Sequence, residues 1–284
     1  MERPWGPARK EQDALTASLR IGISSGHFEW ATPAEAFERC RSEWGFDVLE
    51  IWSDQIGFSP DADTADALRR LSAKHNIALG YHAPFVGDYD LAQSDAARSG
   101  RVLRELLGVT NRIHAEFLIV HLGANPEKEV GLRCAMSAVS QNRSLIEKQG
   151  IRIALEVVPA IWGNQIGDAI EDFEQIFRTI DKPWLGLNLD YGHAQLNGNL
   201  DAVIERLGHK IIYAHVQDTR GEVDEHLGYG MGAVDWTAAL SATLRTGFRG
   251  PFVIEYPESH GVEVTERFLG DLRRLSLATE PDVP

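Results

Sequence analysis

Cysteine is scarce: Cys40 and Cys134 are the only two, far apart and each inside a helix-like stretch. No Cys-x-x-Cys pair exists, which excludes a zinc knuckle and a redox dithiol and leaves two free thiols as the expectation. Positive charge is also short, with 28 Lys and Arg against 42 Asp and Glu and a formal net charge of -14. Such a surface repels polyanions at long range, so nucleic acid is disfavoured as the main partner. No run approaches the roughly eighteen apolar residues of a membrane span. The opening Met1–Pro7 segment runs into charged residues without the apolar stretch of a signal peptide, so the expected location is cytoplasmic. A nucleotide loop is missing as well. After the first apolar run the chain reads Gly22-Ile23-Ser24-Ser25-Gly26-His27, without the Gly-x-Gly-x-x-Gly spacing or a Walker lysine.

What the chain does have is a repeated alternation of short apolar runs and amphipathic stretches. The runs are Leu19–Ser24, Asp47–Trp52, Ile77–His82, Phe117–His121, Ile151–Val157, Leu185–Asp190, Ile211–Val216 and Phe252–Tyr256. Most lack polar alternation, as parallel strands covered on both faces should. Between them lie helix signals. Thr32 before Pro33 reads as an N-cap with a proline in the first turn. A broad apolar face runs through Ala92 to Ile113, Asp168 and Asp235 stand where helices should be capped, and a last helix spans about Val262 to Leu277. Eight strand–helix units without a linker predict a single α/β domain, a (β/α)₈ TIM barrel over 19–277. Segment 1–18 reads as an N-terminal extension and 278–284 as a tail.

The residues that end the strands carry the chemistry. The third run ends at His82 and the fourth at His121; the fifth carries Glu156, the sixth ends in Asp190-Tyr191-Gly192-His193, and the seventh contains His215. Asp224-Glu225-His226 follows the seventh, and the eighth carries Glu255. A barrel brings all these positions to one rim. Three carboxylates in apolar strand sequence, Glu156, Asp190 and Glu255, would repel one another there and require compensating cations. Histidines beside them make a mixed N/O donor set suited to Zn²⁺ or Mn²⁺. Asp224 and His226 fall on one side of an extended segment as a compact pair of donors.

The ordered strings His82-Ala83-Pro84-Phe85, Val120-His121-Leu122-Gly123, Leu155-Glu156, Leu189-Asp190-Tyr191-Gly192-His193-Ala194, His215-Val216-Gln217-Asp218, Asp224-Glu225-His226-Leu227-Gly228-Tyr229-Gly230-Met231-Gly232 and Ile254-Glu255-Tyr256 resemble the xylose isomerase-like barrel superfamily. The resemblance covers about Leu19 to Leu277, and takes in both the sugar-phosphate isomerase/epimerase group and the endonuclease IV family. It implies an isomerase/epimerase metal on Glu156, Asp190, His215 and Glu255. Likeness to endonuclease IV implies further ligands at His82, His121, His193, Asp224 and His226, hence one to three Zn²⁺ or Mn²⁺ ions per chain.

Two reactions follow. In a metal-dependent isomerase/epimerase of a sugar, sugar phosphate or polyol ketone, Glu156 and Glu255 act as the acid/base pair through an enediolate. Trp30, Trp52, Phe85, Trp162 and Tyr191 are candidates to pack a small polyhydroxylated substrate, with His193 and Arg220 as polar contacts. The alternative is an endonuclease IV-like multi-zinc phosphodiester hydrolase. It needs an electropositive track, whereas the loops at 53–61 and 86–95 are acidic. Barrels of this size often pair, so a homodimer is compatible with the fold.

Overall fold

A computed structural model describes residues 19–29, 31–85 and 87–279. Eight parallel strands close into a barrel in chain order: β1 (Arg20–Ser24), β2 (Val48–Trp52), β3 (Ala78–His82), β4 (Phe117–Val120), β5 (Arg152–Glu156), β6 (Leu185–Asp190), β7 (Ile211–Val216) and β8 (Pro251–Ile254). The outer layer consists of α1 (Pro33–Arg39), α2 (Ala62–His75), α3 (Ala96–Arg112), α4 (Lys128–Gln149), α5 (Ile170–Thr179), α6 (Tyr191–Leu196), α7 (Leu200–Leu207), α8 (Trp236–Arg245) and α9 (Val262–Thr279). Among the described residues no helix is long and apolar enough to cross a membrane. Both cysteines are buried free thiols.

The helices start where the chain supplies caps. Thr32 accepts from the Glu35 amide while the Glu35 carboxylate accepts from the Thr32 amide, a reciprocal capping box ahead of α1. Asp235 caps α8 as expected. Asp168 does not cap α5. It accepts from Lys128 Nζ at 2.8 Å, a cation reaching across from α4, and the cap position falls to Ala169. The helix expected from Ala92 begins at Ala96 with Asp95 as its cap, because the amides of Leu91 and Ala92 hydrogen-bond instead to the Leu122 carbonyl.

Strand side chains alternate between the barrel interior and the helix layer. Val48, Phe117, Ile119, Ala154, Tyr213 and Val253 form an apolar cluster inside the barrel. Each such fully buried Val, Ile or Phe contributes about 1.5–3 kcal/mol. Gly80 makes this floor possible, since a Cβ there would lie 2.8 Å from the Tyr213 hydroxyl. Two residues further along, the same inward rows become polar: Val48 leads to Glu50, Ile119 to His121, Ala154 to Glu156, Tyr213 to His215 and Val253 to Glu255. The period of two thus lifts a ring of ionisable groups onto an apolar floor at the C-terminal end of the strands.

Candidate metal centre

Among the described residues, the ring resolves into neighbouring sets of donors. His82, His121 and Glu156 form one; Glu156, Asp190, His215 and Glu255 a second; His193, Asp224 and His226 a third; and His82, His215 and Glu255 a fourth that overlaps the first two. Within each set the donor atoms lie within 4.8 Å of one another. Glu156 belongs to two: its Oε2 is 3.3 Å from His82 Nε2 and 3.4 Å from His121 Nε2, and its Oε1 is 3.4 Å from His215 Nδ1. His215 Nδ1 also lies 2.9 Å from Glu255 Oε2 and 3.7 Å from Asp190 Oδ2. In the third set, Asp224 stands 3.4 Å from His193 Nε2 and 3.4 Å from His226 Nε2. Donors sharing a tetrahedral ion at 2.0–2.1 Å sit about 3.4 Å apart, so these separations fit a ligand shell.

The surrounding hydrogen bonds turn the right atoms inward. A carbonyl oxygen can only accept, so each ring nitrogen facing one carries the proton. His82 Nδ1 donates to the Ala83 carbonyl at 2.9 Å, His193 Nδ1 to Val157 at 2.9 Å, and His226 Nδ1 to Glu255 at 2.8 Å. In the neutral form each of the three keeps its lone pair on Nε2, facing the centre. Asp190 divides its oxygens. Oδ1 accepts from the His193 amide at 2.7 Å, capping α6, and from Gln217 Nε2 at 2.8 Å. Its Oδ2 is buried without a hydrogen bond, as are His121 Nε2, His193 Nε2, Asp224 Oδ1 and Glu255 Oε2. Buried polar atoms left unmatched and converging on shared points fit divalent cations, and the N/O mixture fits zinc or manganese.

The electrostatics follow from crowding. Burial alone would raise the Glu156 carboxyl, but His215, His121 and His193 hold it well below the carboxylate range. Burial prevails at Glu255 and pushes it up despite His215. Burial opposes charge on His82 and His226 too, yet the carboxylates around them push both up to about 9. His121 goes the other way, lowered by its burial.

The residues expected to touch substrate are distributed unevenly. Trp162 is 41% exposed, with its ring 5.8 Å from His121 and 5.7 Å from His193. Phe85 is 56% exposed and lies 5.7 Å from the His121 ring. These two wall the centre on the solvent side. Trp52 packs against His82 and donates Nε1 to Glu50 at 3.3 Å. Arg220 is exposed and ion-paired with Glu225. Tyr191 cannot line the site: it is fully buried in the helix layer, donating to Thr243 Oγ1 at 2.7 Å and packing on Trp236. Trp30 lies outside the described residues.

Sequence reasoning passed over Glu50, Asn188 and Gln217. Glu50 is completely buried and accepts from His215 Nε2 at 2.8 Å. Asn188 donates to Glu156 at 3.1 Å. The signal for Glu50 was present, a lone carboxylate in Val48-Leu49-Glu50-Ile51-Trp52, the same pattern that marks Glu156.

A closed (β/α)₈ barrel with carboxylate and imidazole donors gathered at its strand ends defines the class. The chain belongs to the xylose isomerase-like TIM barrel family, whose profile matches residues 37–275. It is 28% identical over 249 residues to an uncharacterised protein of Methanocaldococcus jannaschii, covering 84% of this chain and 83% of that one. It is 29% identical over 212 residues to a probable endonuclease 4 of Thermoplasma acidophilum, covering 68% and 73%. A crystal structure of a D-tagatose 3-epimerase-like protein shares the fold at a TM-score of 0.76 and 23% identity, over 92% of this chain and 100% of that one.

Proposed function

We propose that the chain is a divalent-metal-dependent isomerase or epimerase of a small, uncharged polyhydroxylated ketone. The observation that carries this is the placement of Glu156 and Glu255. They approach from strands three apart in the closed ring and converge on His215 Nδ1, at 3.4 and 2.9 Å. A substrate carbon between them meets one carboxylate that takes its proton and another that returns one. The electron pair of the broken C–H bond passes into the enediolate, and delivery to the opposite face inverts the carbon. An ion on Glu156, Asp190, His215 and Glu255 would supply Lewis acidity toward the carbonyl and its neighbouring hydroxyl. Phe85 and Trp162 pack the apolar face of the chain or ring.

The charge of the rim supports a neutral substrate. The segments following the eight strands, 25–32, 53–61, 83–95, 121–127, 157–169, 191–199, 217–235 and 255–261, hold one arginine, Arg220, and no lysine. Arg220 is engaged by Glu225. A second reading, phosphodiester hydrolysis, draws on the completeness of the donor sets, since an enediolate reaction needs only the four-residue set.

The test is a panel of ketopentoses and ketohexoses incubated with the enzyme in D₂O, with NMR following deuterium at the inverted carbon. Wild type should introduce label. Glu156→Gln and Glu255→Gln should retain metal and lose turnover by about 10²–10⁴-fold. Full activity in both variants with metal bound would contradict the paired-carboxylate reaction. Cleavage of an abasic-site duplex at physiological salt would put hydrolysis first.

A further inference from the structure

We infer that Glu50 is a positioning residue: it locks His215 with Nδ1 turned into the four-residue set and thereby sets that set's affinity for its ion. This rests on the reading that Glu156, Asp190, His215 and Glu255 bind a cation.

His215 is oriented differently from His82, His193 and His226. Those three donate Nδ1–H to backbone carbonyls and present Nε2. His215 presents Nδ1, and its Nε2 faces the Glu50 carboxylate at 2.8 Å. Packing cannot make that choice. The ring lies between Tyr213, 5.6 Å away edge-on, and His82, stacked at 5.8 Å and 13°. Those neighbours fix its plane but are almost indifferent to a half-turn about Cβ–Cγ, which would put Cδ2 in the place of Nδ1 and Cε1 in the place of Nε2. Asn188 Nδ2 is within 3.1 and 3.4 Å of the two ring nitrogens, but it is a donor and cannot take an imidazole proton. Glu50 Oε2 is the acceptor that breaks the degeneracy. Its own orientation is fixed in turn: Oε1 accepts from Trp52 Nε1 at 3.3 Å, and the residue is wholly buried on β2, opposite Gly80 of β3. Glu50 sits beneath the histidine and acts through it. Carboxylates placed behind metal-binding histidines typically contribute 10–100-fold in affinity.

The experiment is a cobalt(II) titration of metal-stripped, full-length protein, following the visible d–d bands and the dissociation constants under chelator competition. His215→Ala identifies which binding step belongs to the four-residue set. In Glu50→Leu that step should weaken by about 10–100-fold with a changed band shape, while the other steps stay put. Glu50→Gln keeps the side-chain volume and one oxygen acceptor and should show a smaller loss, readable even if Glu50→Leu fails to fold. Wild-type affinity and spectrum in Glu50→Gln and Glu50→Leu would overturn the role of Glu50 and leave the metal reading standing. A lower melting temperature with unmoved dissociation constants would make Glu50 merely structural and overturn it equally. Absence of cobalt binding by wild type would overturn the metal reading itself, and the inference with it.

Discussion

At the N-terminal end of the barrel, Arg20 grips Glu116 through hydrogen bonds of 2.8 and 2.7 Å, and Arg152 stands 3.8 Å from the same carboxylate. Both guanidinium groups lie over the Phe117 ring, at 5.7 and 4.7 Å. Charge there is matched within the chain. At the C-terminal end, Glu50, Glu156, Asp190, Glu255 and Asp224 meet histidines instead, and several of their oxygens and ring nitrogens have no hydrogen-bond partner. The same strands, a few residues apart, close one end with ion pairs inside the chain and leave buried donor atoms without hydrogen-bond partners at the other. That is the division expected of a barrel whose lower face serves stability and whose upper face serves chemistry.

The largest effect should come from removing a donor at the upper end. Asp190→Ala takes away both the ion-facing Oδ2 and the Oδ1 that caps α6. We expect metal affinity to fall by more than the roughly 10–100-fold that the loss of an outer partner costs, together with about 1 kcal/mol of stability from the lost cap. Asp190→Asn should separate the two, keeping the cap and losing the ion. Chelator competition and thermal melts read both quantities. Equal metal affinity in Asp190→Asn would remove Asp190 from the centre.

Next in size is a reversal of pH dependence. In the metal-free chain His82 and His226 are raised from 6.5 to about 9. A raised histidine contributes stability that is fully present below about pH 6.5 and is lost as pH climbs through about 9. Loaded with zinc, the same rings must be neutral, so acid and not base should weaken the protein by displacing the ion. Melting temperatures from pH 6 to 9.5, with and without zinc, should therefore slope in opposite directions. Parallel slopes would mean that the ion does not bind these histidines.

The smallest effect belongs to the lower end. Arg20→Met removes a partly exposed ion pair worth about 0–1 kcal/mol and should leave metal content and turnover unchanged. A loss of metal in this variant would erase the contrast between the two ends.

Much of this contrast is legible in the sequence. The eight apolar runs become the eight strands nearly residue for residue, because a strand covered on both faces has to be apolar throughout. The charged exceptions inside those runs then stand out, and Glu156, Asp190, His215 and Glu255 come together in one set. What escaped depends on distances between elements. Asp168 has the residue type and position of a cap, but Lys128 on another helix claims it. Tyr191 follows a site residue in sequence, yet the turn into α6 directs its ring into the helix layer, onto Trp236 and Thr243. Arg220 is the local exception, held by Glu225 five residues on in the same loop. Glu50 was visible as a charge in a strand, but its pairing with His215 spans 165 positions of sequence and only barrel closure reveals it.

The most direct test is anomalous diffraction at the zinc and manganese edges, paired with elemental analysis, on crystals of protein purified without chelator. We expect an anomalous peak enclosed by Glu156, Asp190, His215 and Glu255, with further peaks, where occupied, at His82, His121 and Glu156 and at His193, Asp224 and His226. A metal-free chain with no anomalous density at these donors, after incubation with either ion, would contradict the metal centre.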